Sequence, residues 1–173
     1  MVDIVETYSN ALYEGHTCHR YWIRKWPVLV GGSVLHSGDW EHLAKDFWIT
    51  DVVNVETEHD DSGKIPADRL IQARVPDVGS PFPADKILSV CLFVANKLRI
   101  NDRSRFYVHC QMGGSRSPAF AYAILRGVYG LSQNDALQEI IQSRPEEKLP
   151  YGHHDFHKAY LKSIEEALSL VRP

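Results

Sequence analysis

The chain predicts one α/β domain with a central, mostly parallel β-sheet flanked by helices, and three observations carry that expectation. Short β-branched or aromatic runs alternate with segments of helical apolar spacing. No internal repeat, low-complexity tract or long Pro/Ser linker divides the 173 residues. The composition, 44% hydrophobic and 24% charged, is that of a globular chain. A chain of this size buries about 70% of the surface it exposes when unfolded. The whole of residues 1–173 is therefore read as one domain.

Taken in order, residues 1–25 have no assigned role. The runs WPVLVGG (26–32), ITDVVNVE (49–56), RLIQARV (69–75) and RFYVH (105–109) are bounded by turn residues and read as four strands. In PADKILSVCLFVANKL (83–98), Ile87, Cys91, Val94 and Leu98 recur at helical spacing. Pro118 suits the first turn of a further helix, which AFAYAILRGVYG continues to a glycine stop near Gly130. SQNDALQEIIQ (132–142) opens with Ser132 and Asp135 as a capping box, followed by Leu137, Ile140 and Ile141. After the helix-stopping RPEEKLPYG, a terminal helix repeats Phe156, Tyr160, Ile164, Leu168 and Val171 every three or four residues.

Charge and cysteine usage narrow the function. A formal net charge of −3 argues against broad attraction to nucleic acid or anionic lipid, so any anion must be bound locally. No apolar run is long enough for a membrane span, and MVDIVETYSN lacks the basic start and apolar stretch of a signal peptide. The expectation is a soluble, cytoplasmic protein. Cys18, Cys91 and Cys110 share no CxxC spacing, which disfavours a disulfide framework or a cysteine-rich zinc site. Cys91 falls on an apolar helical stripe and reads as an inert core thiol. HTCH (16–19) and HHDFH (153–157) contain metal-ligand residues but no recognised full set. No metal and no cofactor are expected. Trp22, Trp26, Trp40 and Trp48 read as core and rim packing, and ETEHDDSG (56–63) as a solvated loop.

The chemistry concentrates in YVHCQMGGSRSP (107–118), where a strand ends near His109 and a helix begins near Pro118. The residues from Cys110 to Arg116 could span about 20 Å if extended, so the turn must curl. With Gly113 and Gly114 free to adopt positive φ, a curled loop aims successive N–H groups inward, a nest for an anion at a helix N-terminus. A thiolate under a bound phosphate is a nucleophile aimed at phosphorus. A thiol ordinarily ionises near pH 8.5, and a helix terminus supplies only about 0.3–2 kcal/mol toward the anion. Hydrogen bonds to a charged group supply about 1.5–3 kcal/mol each, so several donors must share the sulfur. Ser117 is one candidate donor. Arg116 offers a planar fork for two phosphate oxygens.

The leaving oxygen needs a proton, and RVPDVGSPFP (74–83) supplies Asp77 as the candidate acid. It follows a strand and precedes Cys110 by a helix and a strand, which places both loops at one end of the sheet, where open α/β sheets bind ligands. Asp77 could instead shape a turn and Asp85 cap the following helix, and Asp60 and Asp61 are the other carboxylates to consider.

HCQMGGSRS fits HCx5RS and resembles the signature of the cysteine-dependent protein tyrosine phosphatases, most closely the dual-specificity subfamily. VVNVETE resembles that family's early strand, VPDVGSPFP its general-acid loop, ALQEIIQSRP its next helix, and Phe156 with Leu161 its final helix. The resemblance covers roughly residues 26–170. It implies the protein tyrosine phosphatase fold and a mechanism in which Cys110 forms a phosphocysteine while Asp77 protonates the leaving group and then activates water. It further implies that Arg116 and the backbone of Gln111, Met112, Gly113, Gly114 and Ser115 bind phosphate, that Ser117 serves the sulfur, and that His109 orders the loop.

Two other classes compete with a phosphatase. A catalytically inactive phospho-binding module on the same fold normally lacks the cysteine, arginine or acid, and all three are present. A rhodanese-like sulfurtransferase also uses a loop cysteine but has no need of the arginine-serine pair or an upstream acid. Phosphoinositide-directed relatives tend to carry lysines inside the loop, whereas Gln111, Met112 and Gly114 are neutral, and no KNRY-like tyrosine-recognition segment occurs. The expected substrate is a protein phosphorylated on tyrosine, serine or threonine; phosphoinositide, phosphoglycan and RNA 5′-phosphate are the alternatives.

Overall fold

The computed structural model describes residues 9–13, 16–23, 25–33, 37–77, 79–143 and 158–171. Strands β1 (Ser9–Tyr13) and β2 (His16–His19) form an antiparallel pair. A five-stranded sheet follows, built from β3 (Tyr21–Trp22), β4 (Val28–Gly31), β5 (Asp51–Asn54), β6 (Leu70–Gln72) and β7 (Phe106–His109). Its order is β3-β4-β7-β5-β6; β3 runs antiparallel at one edge and the other four strands are parallel. The helices are α1 (Ser37–Asp46), α2 (Ala84–Ile100), α3 (Arg116–Gly127), α4 (Gln133–Ser143) and α5 (Lys158–Ser169). The predicted α/β architecture with a mostly parallel sheet is observed.

The three central strands β4, β7 and β5 are buried throughout, as parallel strands covered on both faces must be. Their residues alternate between two cores. Val28, Val30, Val53, Val55, Phe106 and Val108 face the larger core under α2 to α5. Leu29, Val52 and Tyr107 face a smaller one with Leu43 and Phe47. The second core requires α1, an element absent from the sequence reading, as were β1, β2 and β3.

The four predicted strands all form but are shorter than their apolar runs. RLIQARV narrows to Leu70–Gln72 because Arg74 turns to a φ of 48°, although Ala73 and Val75 still donate to the carbonyls of Asn54 and Val55. In α2, Ile87, Cys91 and Val94 are buried as expected. Burial pushes the Cys91 thiol up to about 12, consistent with a core thiol. Half of the capping box at Ser132 is formed: its Oγ accepts the N–H of Asp135 at 3.1 Å, but the Asp135 carboxylate accepts that hydroxyl at 2.6 Å in place of the Ser132 backbone N–H. In α4, Ile140 is buried while Ile141 is largely exposed, with Ala136 taking the inner position. The terminal helix buries Tyr160, Ile164 and Leu168, but Val171 lies beyond its end and is exposed. Phe156, HHDFH and the Arg-Pro ending of ALQEIIQSRP lie outside the described residues. Trp48 departs from packing: it is exposed, with the Arg105 guanidinium over its ring and over that of Trp22. No helix among the described residues is long and apolar enough to cross a membrane.

Helix α3 is buried from Arg116 to Arg126 and is the piece around which α2, α4 and α5 assemble. Its far end is tied to α5 by Glu165, which accepts Arg126 Nε and Nη2 at 2.7 Å each and Tyr122 Oη at 2.6 Å. Hydrogen bonding from Arg126 holds the Glu165 carboxyl down at about 2, against an ordinary 4.5. A carboxyl depressed on folding stabilises fully above its unfolded value and loses that contribution as pH falls through its folded value. Glu165→Ala should therefore lower the unfolding free energy at pH 7 by about 1.5–3 kcal/mol. In urea denaturation the difference from the parent should shrink as pH falls from 4.5 toward about 2.

Candidate active site

Four parallel strands deliver the site from their C-terminal ends. Chain leaving β7 gives Cys110, chain leaving β5 gives Glu56 and Glu58, β4 ends in Gly31 and leads to Ser33, and chain beyond β6 reaches Asp77. The loop from Cys110 to Ser115 curls into the N-terminus of α3, with Pro118 in its first turn as predicted; of the two glycines expected to supply positive φ, Gly113 does and Gly114 does not. Its shape rests on a close approach to the end of β4. Gly113 adopts a φ of 80°, and a Cβ there would lie 2.7 Å from the carbonyl carbon of Gly31 and 2.9 Å from Gly32 N. Cys110 N–H donates to Gly31 O at 3.3 Å and Ser33 N–H to Gln111 O at 3.1 Å, so the two loops are stitched along their length. Gly31 is needed for the same reason, since a Cβ on it would come within 2.4 Å of Tyr107 Oη. That hydroxyl donates to Gly32 O at 2.5 Å and accepts Arg20 Nε at 3.2 Å, fixing the seat from behind.

Cys110 sits at the buried floor of the loop, its Sγ 3.3 Å from Ser117 Oγ. Ser117 Oγ is also 3.3 Å from Gly31 O. A hydroxyl has one proton, so it can face the carbonyl while the thiol is protonated and turn to the sulfur when the sulfur is an anion. Arg116 has only 1% of its side chain exposed. Its Nη1 donates to Glu58 Oε2 at 2.9 Å and Val75 O at 3.1 Å, and its Nη2 donates to Glu58 Oε1 at 3.0 Å. Nε has no hydrogen-bond partner among the described residues, with Asp77 Oδ2 the near group at 3.7 Å. Burial opposes the arginine's charge, but hydrogen bonding to Glu58 and the charges of Cys110, Asp77 and Glu58 outweigh it and raise its pKa further. For Glu58 the balance runs the other way: burial raises its pKa, and the bonds to Arg116 and backbone leave it below the usual carboxylate range.

Asp77 stands over the same loop, with 43% of its side chain exposed. Its Oδ1 accepts Tyr160 Oη at 3.2 Å and Ser115 Oγ at 3.4 Å. The other carboxylates are placed elsewhere. Asp60 pairs with Arg74 at 2.7 Å, and Asp85 is exposed in the first turn of α2. Asp61 is fully buried and bonds His109 Nε2 at 2.7 Å and Asn54 Nδ2 at 2.9 Å.

The reading of 56–63 as a solvated loop is corrected on these contacts. Glu56 and Asp61 are fully buried beside His109, and Glu56 accepts Ser33 Oγ at 2.6 Å, linking the strand end under the cysteine to the β4 loop. Glu58 clamps Arg116. The run is acidic because a buried guanidinium and an imidazole close to the thiol both need carboxylate partners. Nothing in its composition distinguishes that role from surface charge, and the residues it serves lie 48 to 58 positions away. Tyr160 was read only as part of an apolar stripe, and its hydroxyl was the one hint of a polar task.

No family model matches the chain and no curated protein matches it in sequence. Solved structures do match. Human DUSP28 superposes with a TM-score of 0.68 at 18% identity, covering 89% of this chain and 95% of that one. The PTP-2 phosphatase of Cydia pomonella gives 0.66 at 16% identity over 85% and 88%. PTPMT1 in complex with PI(5)P gives 0.65 at 17% identity over 83% and 90%. At these identities the likeness establishes the fold.

The contact between Gly113 and the end of β4 leaves no room for a side chain. Gly113→Ala should destabilise the protein by about 1–3 kcal/mol through the positive φ and the clash with backbone, read as a lower urea midpoint.

Proposed function

We propose that this chain, which has the fold of the protein tyrosine phosphatases, hydrolyses phosphate monoesters through a phosphocysteine intermediate on Cys110. The observation that carries the reading is the buried Arg116 guanidinium, held on two sides by Glu58 and Val75 O, with Nε unbonded above a loop whose floor is a cysteine. Burying a charged fork and leaving the Nε hydrogen and one Nη2 hydrogen unpaired is costly unless an anion completes it. A phosphoryl group held by the loop N–H groups and Arg116 is such an anion, and it lies over the sulfur.

In the first step Cys110 Sγ, as thiolate, forms a bond to phosphorus while the ester P–O bond breaks, and the departing oxygen takes a proton from Asp77. In the second, water attacks phosphorus and gives its proton to the Asp77 carboxylate. The S–P bond breaks, the electron pair returns to sulfur, and Ser117 Oγ turns its proton toward the thiolate. Arg116 stays bound to the equatorial oxygens throughout, which a lysine ammonium cannot reproduce with two parallel bonds. His109 takes no part in proton transfer. Its bond to Asp61 orients the residue preceding the cysteine.

The substrate reading favours phosphorylated proteins over polyanionic headgroups. Gln111, Met112 and Gly114 bring no positive charge into the loop, and the carboxylates of Glu58 and Asp77 border it. A second or third phosphate meets no lysine or arginine among residues 111–115. A panel of phosphopeptides, phosphoinositides and nucleotides tests this; preferential turnover of a phosphoinositide would overturn it.

Cys110→Ser should abolish turnover of p-nitrophenyl phosphate while circular dichroism and the urea midpoint stay near those of the parent. Arg116→Lys should cost at least about tenfold in kcat/KM. Asp77→Asn should slow a phosphoserine peptide by about 10²–10⁴-fold and an aryl phosphate with a good leaving group much less. Activity of Cys110→Ser equal to the parent would remove the nucleophile assignment. Sulfur transfer from thiosulfate to cyanide, without phosphate release, would replace the reading with a sulfurtransferase.

A further inference from the structure

The acid loop is the chain between β6 and α2, with no strand or helix of its own among the described residues. Two side chains of α5 hold it. Tyr160 is fully buried, and its ring stacks on Phe82 with centroids 4.1 Å apart and planes within 19°. Its hydroxyl accepts Gly79 N–H at 3.2 Å and donates to Asp77 Oδ1 at 3.2 Å. One turn on, Ser163 Oγ accepts Phe82 N–H at 3.0 Å and donates to Tyr160 O at 2.9 Å. Three attachment points, at Asp77, Gly79 and Phe82, thus converge on one helical turn more than 80 residues away.

We infer that Tyr160 is a positioning residue for the general acid: its hydroxyl closes the 77–82 loop over the phosphate cradle and fixes which oxygen of Asp77 faces the substrate. The inference rests on the phosphatase reading for its kinetic consequence, and on geometry alone for the tether. Oδ1 is occupied by Tyr160 and Ser115, both hydroxyl donors, whereas Oδ2 is turned toward Arg116 Nε at 3.7 Å, the direction in which a phosphate ester would lie. A carboxyl whose Oδ1 accepts two hydrogen bonds carries its transferable proton on Oδ2, the side of the leaving oxygen. Burial raises the ionisation of the Tyr160 hydroxyl above its ordinary value, with Gly79 N–H opposing and the charge of Asp77 adding to the rise, so the group remains a donor at neutral pH. The aromatic stack and the hydroxyl have separable tasks: the ring holds α5 against the loop, and the oxygen sets the carboxyl.

Tyr160→Phe in the full chain keeps the stack and deletes the oxygen. In hydrogen exchange followed by NMR, the parent should protect the Gly79 amide well beyond its intrinsic rate, and the variant should release it while the amides of β7 exchange unchanged. Kinetically, the variant should lose about tenfold in kcat on a phosphoserine peptide with KM little altered, and lose little on p-nitrophenyl phosphate, whose leaving group needs no proton. Adding Tyr160→Phe to Asp77→Asn should cost nothing further. Equal losses on both substrates, or a further loss in the Asp77→Asn background, would overturn the positioning role and leave Tyr160 a packing residue. A Gly79 amide exchanging at its intrinsic rate in the parent would overturn the tether without need of any variant. If the parent released phosphate from neither substrate, the phosphatase reading would fall, and the exchange measurements would still decide the tether.

Discussion

The site depends on burying one positive charge. A guanidinium with 1% of its side chain exposed can persist only if nearly every donor is paired and its charge is matched, because an isolated ion taken from water costs several kcal/mol. Glu58 meets the charge with two bonds near 3 Å, and the Val75 carbonyl takes a third. Val75 is two residues before Asp77, and Glu58 lies just beyond β5. The requirements of Arg116 therefore draw the ends of β5 and β6 to the start of α3 and bring the acid loop with them. What remains after that pairing is the Nε hydrogen and one of the two on Nη2.

The same economy governs the backbone below. Parallel strands end in open carbonyls and N–H groups, and here β4 and β7 use theirs on each other's loops, through Cys110 to Gly31 and Ser33 to Gln111. Such contact needs two backbones closer than a methyl group permits, which is the reason for glycine at position 113, while glycine at 31 leaves room for the side chains of Tyr107 and Arg20. Behind the seat, Tyr107 and Arg20 stop Gly32 from retreating. Beside it, His109 is locked to Asp61, and Asp61 to Asn54, so the residue before the cysteine cannot rotate without breaking a buried chain of bonds. The loop is thus supported on both sides by buried bonds.

How much of this was legible follows from where partners sit along the chain. Cys110, Gly113, Arg116 and Ser117 lie within eight consecutive residues, and the chemistry of each constrains the rest, so the loop and its place between a strand and a helix could be read directly. Asp77 was readable because its loop joins a strand to a long amphipathic helix, which fixes the end of the sheet it occupies. Glu58 and Asp61 were not, since their partners are far away in sequence and an acidic run looks alike whether it meets water or a buried cation. Helix α1 escaped for another reason. SGDWEHLAKD offers only Trp40 and Leu43 as large apolar residues, too few to mark a helix by periodicity, and the face it covers is Leu29, Val52 and Tyr107. Its need could have been argued from the sheet, because a parallel strand with no alternation in polarity requires something on each face.

The division between fixed and movable parts follows burial. Cys110, Arg116, Ser117, His109 and Asp61 are all buried, each with a hydrogen-bond partner, while Asp77 is substantially exposed and makes contacts at 3.2 to 3.7 Å. In the proposed reaction, phosphate binding and nucleophilic attack depend on that buried part, whose rearrangement would cost the pairing of Arg116. Proton delivery in that reaction rests on Asp77, in a segment held by a few exposed bonds and the anchors from α5. Substrate entry and product release in such a reaction need some part to yield, and an exposed segment of this kind is the sort that can. On the inference drawn for Tyr160, the terminal helix acts on the proposed reaction through how firmly it holds that segment, although the residue that does so is a tyrosine buried in the core.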